Sequence, residues 1–96
     1  MQKSGLKAML ADPLILTFLT VVESGSFSAA AQKLGVTQPA VSQKIARLEE
    51  RIGFPLFDRG PVLALTPTGE TFLGYARRIQ DAYDLTNRAF NNVFSK

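Results

Sequence analysis

The chain has 96 residues, with 11 Lys and Arg against 8 Asp and Glu, and contains neither Cys nor His. This length suits one small domain with a modest core and argues against a deep enzyme cleft. The missing Cys and His exclude disulfides, thiolate metal sites and the commonest general base, and they leave zinc only carboxylates.

The net charge of +3 suits a polyanionic partner but is too small to specify one. No stretch of about 18 consecutive apolar residues occurs, so no membrane span or membrane partner is expected. Residues 1–11 carry Lys3 and Lys7 without a continuous apolar stretch, and they read as a flexible tail rather than an export signal.

Asp12 followed by Pro13 predicts a capped helix start. Leu14, Ile15, Phe18, Leu19 and Val22 then recur at helical spacing as one apolar stripe. Ser24-Gly25 ends that helix, and Ser26 is placed to cap a second one. Its Ala30, Ala31 and Leu34 turn inward, and the alanines favour helix and close approach. Gly35 closes this short helix, with Val36 expected to plug the turn.

Thr37 caps a third helix, and Pro39 falls in its first turn, where a missing N–H is harmless. Val41, Ile45, Leu48 and Ile52 are 4, 3 and 4 residues apart and form one buried stripe. At about 100° per residue, Pro39 and Gln43 point away from it, flanked by Ser42 and Ala46 on one side and Arg47 on the other. Gly53 ends the helix. An alanine-rich helix, a glycine turn and a helix showing Gln and Ser outward read as a helix-turn-helix, at about residues 27–46, whose second helix fits the major groove of double-stranded DNA.

Residues 54–59 and 62–65 read as two short strands around Gly60-Pro61, a small wing. Thr66-Pro67 begins a last helix running to about Phe94, roughly 40 Å long. Phe72, Ala76, Ile79, Tyr83, Thr86, Phe90 and Val93 are spaced 4, 3, 4, 3, 4 and 3 residues, a heptad seam. A helix this long exceeds what so small a core can cover, so the seam is expected to pair with a second copy of the chain.

The run from Phe18 to Gly69 resembles the N-terminal DNA-binding domain of LysR-type transcriptional regulators. The resemblance rests on Phe18-Leu19-Thr20-Val21-Val22-Glu23-Ser24-Gly25-Ser26-Phe27-Ser28-Ala29-Ala30-Ala31 and Leu34-Gly35-Val36-Thr37-Gln38-Pro39-Ala40-Val41-Ser42. It continues through Ile45-Ala46-Arg47-Leu48-Glu49, Gly53-Phe54-Pro55-Leu56-Phe57-Asp58-Arg59 and Leu65-Thr66-Pro67-Thr68-Gly69. It implies a mainly α fold: a winged helix-turn-helix over residues 12–66, with a linker helix over 67–96 that pairs with its copy. It further implies a bacterial, cytoplasmic, nucleoid-associated transcription regulator bound to interrupted palindromes.

Two departures bear on this. The family usually carries a further Arg or Lys in the wing, whereas residues 60–64 hold none and are about one residue short, leaving Arg59 as the nearest cation. Family members also normally continue into an effector-binding domain of two lobes, while this sequence stops at Lys96, as expected either of a fragment of a longer regulator or of a natural short form. The inducer site and any higher oligomer are therefore expected in a full-length form, and no small-molecule site or cofactor is expected in this chain.

Phosphate neutralisation supplies most DNA affinity, and base edges supply sequence choice. For base readout the candidates are Gln38, Pro39, Ala40, Ser42 and Gln43. A glutamine amide matches adenine N6 and N7, and Pro39 and Ala40 offer apolar surface to a thymine methyl. Many family members place Arg where Gln43 stands. For phosphates the candidates are Lys33, Lys44, Arg47, Arg51 and Arg59, with Ser26, Ser28 and Thr37 at helix N-termini. Ser26 and Thr37 serve equally as plain caps, and Arg47 and Arg51 are also placed for surface pairing.

Two other readings stand beside this one. A winged-helix interaction module would use the seam to pair with a longer regulator and modulate it. An enzyme is disfavoured, because the carboxylates are scattered along the chain and form no acid/base constellation.

Overall fold

The computed structural model describes residues 12–94, and its helices begin and end where side-chain chemistry permits. Helix α1 (Pro13–Ser24) is capped by Asp12, whose carboxylate accepts from the Leu14 N–H at 2.9 Å. Helix α2 (Phe27–Leu34) is capped by Ser26, whose Oγ accepts from the Ala29 N–H at 3.0 Å. Helix α3 (Gln38–Ile52) is capped by Thr37, whose Oγ1 accepts from the Ala40 N–H at 3.2 Å. Each cap satisfies an N–H that the helix itself cannot. The expected tail over residues 1–11 lies outside the described residues.

Gly35 makes the turn between α2 and α3. Its φ of 70° is left-handed, and its N–H bonds back to the Gln32 carbonyl at 3.2 Å, a conformation that costs a residue with a Cβ. Val36 does not plug this turn, contrary to expectation: it is 43% exposed. Its own N–H reaches the Ala31 carbonyl at 3.0 Å, so the backbone closes the turn and leaves the side chain outside.

α1 is the central helix and packs against α2, α3 and the last helix. The stripe read from sequence is therefore too narrow. Thr17, Thr20 and Val21 are buried as well as Leu14, Phe18 and Leu19. Thr20 disposes of its hydroxyl locally by donating to the Leu16 carbonyl at 2.8 Å. Val41, Ile45 and Leu48 bury the inner face of α3, and Ala30 and Ala31 that of α2. Phe18 is the aromatic hub, with ring centroids 5.4 Å from Phe57 and 5.1 Å from Phe72.

Strands β1 (Phe57–Arg59) and β2 (Leu63–Leu65) form an antiparallel hairpin in which Phe57 faces Leu65 and Arg59 faces Leu63. The first strand starts later than the residue 54 expected. The N–H groups of Leu56 and Phe57 go instead to the Glu49 carboxylate at 2.8 and 3.4 Å, and Phe54 is 60% exposed. From the other side, Thr66 Oγ1 donates to the Pro55 carbonyl at 2.7 Å and accepts from the Gly69 N–H at 2.9 Å. Residues 55–57 are thus pinned between α3 and the start of helix α4 (Pro67–Phe94). Gly69 is needed for this close approach, since a Cβ there would overlap the Leu56 carbonyl oxygen.

α4 has 28 residues, about 42 Å at 1.5 Å per residue, in a molecule of 50 × 26 × 24 Å. Its first turns pack on the core. Ala76 is fully buried, and Phe72 and Leu73 are half-buried against the core cluster. This corrects the heptad seam at its inner end: the chain's own core occupies Phe72 and Ala76. The small Ala76 side chain lets the helix approach closely, and the Phe72 ring sits edge-on to Phe18. Ile79, Tyr83 and Thr86 are half-buried and lie beyond that cluster. The side chains of Phe90 and Val93 lie outside the described residues.

Candidate nucleic-acid interface

One open cleft of about 460 Å³ gathers the chemistry that sequence reading distributed over three segments. Its walls are the start of α2 at Ser26 and Phe27, the first turns of α3 at Gln38 and Ser42, and the wing from Arg59 to Leu63. The α2–turn–α3 geometry sets the first two walls. The Glu49 and Thr66 hydrogen bonds hold the base of the third.

Both α2 and α3 begin near this cleft, so the positive ends of two helix dipoles lie there. The capping pattern leaves identifiable donors. In α2, Ser26 takes up the Ala29 N–H through its side chain and the Ala30 N–H through its carbonyl, so the Phe27 and Ser28 N–H groups have no acceptor within the helix. In α3, Pro39 has no N–H, and Thr37 engages those of Ala40 and Val41, so Gln38 supplies the free N–H. Such groups suit phosphate oxygens.

The five residues read as base contacts occupy the first turns of α3. Gln38, Pro39 and Gln43 are exposed, and Ala40 and Ser42 are half-buried. Gln38 and Ser42 face the cleft, while Val41 and Ile45 are fully buried on the opposite side. The Gln43 side chain lies outside the cleft lining. Ser26 and Thr37 both act as caps, and Ser28 and Thr37 are exposed.

The cations are arranged differently. Only Arg59 lines the cleft. Lys33 is in the last turn of α2. Arg47 and Arg51 stand roughly 13 and 20 Å along α3 from Gln38. Lys33, Arg47 and Arg51 are exposed, and Lys44 is half-buried. They therefore flank the cleft and do not converge in it.

Two contributing residues escaped the sequence reading. Glu49, resembling any exposed carboxylate of a helix, is the clamp joining α3 to the wing. Phe27, resembling a plain core residue, carries the Arg59 guanidinium over its ring at 4.3 Å from the centroid. No local signal marks either role, because both partners arrive through the hairpin. Among the described residues no cluster of His, Cys, Asp or Glu is arranged to hold a metal, and no helix is long and apolar enough to cross a membrane.

Comparison with known proteins gives this geometry a family. Residues 14–70 match the model of the bacterial regulatory helix-turn-helix protein, lysR family. The chain is 47% identical over 77 residues to an HTH-type transcriptional regulator in the ibpB-leuC intergenic region of Azotobacter vinelandii, covering 79% of this chain and 54% of that protein. It is 42% identical over 80 residues to the HTH-type transcriptional regulator CbbR of Rhodospirillum rubrum, covering 82% of this chain and 27% of that one. The chain thus spans about half of one relative and about a quarter of the other. Among solved structures, the BenM_DBD/catB site 1 DNA complex superposes with a TM-score of 0.81 at 34% identity, over 86% of this chain and 94% of that one. The chain belongs to the LysR family of bacterial transcriptional regulators, as a winged helix-turn-helix DNA-binding domain.

Proposed function

We propose that the chain binds double-stranded DNA as a homodimer and recognises an interrupted palindrome, placing the first turns of α3 in the major groove of each half-site. The observation that carries this is the single cleft joining the N-terminus of α2, the exposed face of α3 and the wing. Gln38, Pro39, Ala40, Ser42 and Gln43 read bases. Ser26, Ser28, Thr37, Lys33, Lys44, Arg47, Arg51 and Arg59 hold the backbone. The BenM_DBD structure, solved as a DNA complex and matched over 94% of its length, supports DNA binding over the interaction-module alternative.

Subunit pairing uses the outer part of α4, through Ile79, Tyr83, Thr86, Phe90 and Val93. Ile79, Tyr83 and Thr86 lie beyond the chain's own core. Paired helices of this length suit recognition helices held about 34 Å apart, one turn of DNA. The cellular setting is the cytoplasm at the nucleoid.

The test is a salt-dependent anisotropy titration of the purified chain against promoter-sized fragments. It should give a steep salt dependence and at least one site preferred over mixed-sequence duplex. Indifference to every duplex at low salt would refute the reading.

A further inference from the structure

Arg59 is the single basic residue between Arg51 and Arg77, so the wing's positive charge comes from one guanidinium. Strand alternation puts Arg59 on the same side of β1 as Phe57, and Phe57 is buried. The Phe57 ring meets Phe27 edge-on at 5.7 Å, while the Arg59 guanidinium lies over that same Phe27 ring at 4.3 Å. Phe27 itself is fixed at the first position of α2, directly after the Ser26 cap. One ring, in edge contact with a core aromatic, therefore supports the one cation of the wing.

We propose that Phe27 is a positioning residue for DNA binding, which presents Arg59 from the wing to the nucleic acid. A stacked guanidinium uses its face against the ring and keeps its N–H edge free for phosphate or base acceptors. An unsupported arginine would lose more rotamer freedom on binding. Arg59 also lines the same cleft as Ser26 and Phe27 at the start of α2, so a phosphate held there meets both the guanidinium and the N-terminal end of that helix. This compensates for a wing that has no cation in residues 60–64. The inference rests on the DNA-binding reading above.

The test uses the full chain and a short duplex of mixed sequence, titrated by fluorescence anisotropy at several NaCl concentrations. The variants are Phe27→Leu, Phe27→Trp, Arg59→Ala and the double Phe27→Leu/Arg59→Ala, each with its Tm measured. Phe27→Leu should weaken binding about twofold to fivefold, in line with an exposed cation–π contact. Arg59→Ala should flatten the salt slope by about one. The double variant should bind no worse than Arg59→Ala, and Phe27→Trp should restore wild-type affinity.

Equal losses from Phe27→Leu in the wild-type and Arg59→Ala backgrounds would overturn the proposal, as would a folded Phe27→Trp that binds as weakly as the leucine variant. The Arg59 Nε–H resonance of the free protein tests the stack without DNA. Ring-current shielding should be present in wild type and lost in Phe27→Leu, and unshielded Nε–H in wild type would overturn the proposal. A wild-type chain that binds no duplex while keeping that shielding refutes the DNA reading and leaves the stack itself established.

Discussion

Helices α1 and α3 are written in the same grammar and end in opposite circumstances. Each follows a side-chain cap, carries a proline within its first two positions and stops at a left-handed glycine. α1 has no charged residue before Glu23 and is buried on most of its circumference. α3 buries Val41, Ile45 and Leu48 and leaves Gln38, Pro39, Gln43 and Arg47 exposed. Capping chemistry decides where a helix begins, whereas the distribution of polar residues around it decides whether a face remains for a partner. α4 combines the two cases along its length, with Ala76 inside the core and Ile79 onward beyond it.

The contrast can be broken most forcefully from the buried side. Phe18 is fully buried at the centre of α1, between Phe57 and Phe72. Phe18→Ala should destabilise the fold by about 3–5 kcal/mol, read by urea denaturation, and DNA binding should fall only as folded protein falls. A loss under about 1 kcal/mol would mean that α1 is not the hub.

Ile79→Asp tests the outer part of α4. It should raise the dimer dissociation constant by more than about thirtyfold, the scale of an interface hot spot near 2 kcal/mol, with the Tm of dilute monomer little changed. Sedimentation that still finds dimer at low concentration would remove the seam from the account.

On the open face of α3, Gln38→Ala should reduce discrimination between a preferred site and its single-base variants by about 1–3 kcal/mol, while non-specific affinity stays near wild type. Equal preference before and after the substitution would exclude Gln38 from base readout. The smallest effect belongs to Arg47→Ala. It should weaken all duplexes alike and flatten the salt slope by about one, and a change confined to one operator would contradict a phosphate role.

Much of this was legible in the sequence where the determinants are local. Asp12, Ser26, Thr37 and Thr66 announce helix starts because each side chain bonds an N–H two or three residues ahead. The stripe of α3 is legible because its burial has one side. The burial of Thr17, Thr20 and Val21 was not, because it depends on three helices surrounding α1. The heptad spacing of α4 does not say which part meets its own core, so the packing of Phe72 and Ala76 against that core is not legible in it. Glu49 and Phe27 act on partners brought in by the hairpin, 7 and 8 residues away for Glu49, and their composition carries no trace of it. The positions proposed to face DNA are legible as an open face because helix periodicity excludes them from the core, and their proposed role because the surrounding motif resembles a known family.

The most direct test of the central claim is amide chemical-shift mapping during titration with a duplex containing a preferred site. The account predicts the largest shifts at residues 26–28, 37–43 and 59–62, in and around the cleft between α2, α3 and the wing, fading as salt is raised. Shifts concentrated elsewhere, on the exposed face around Phe54 or along α4, with the first turns of α3 silent, would contradict it.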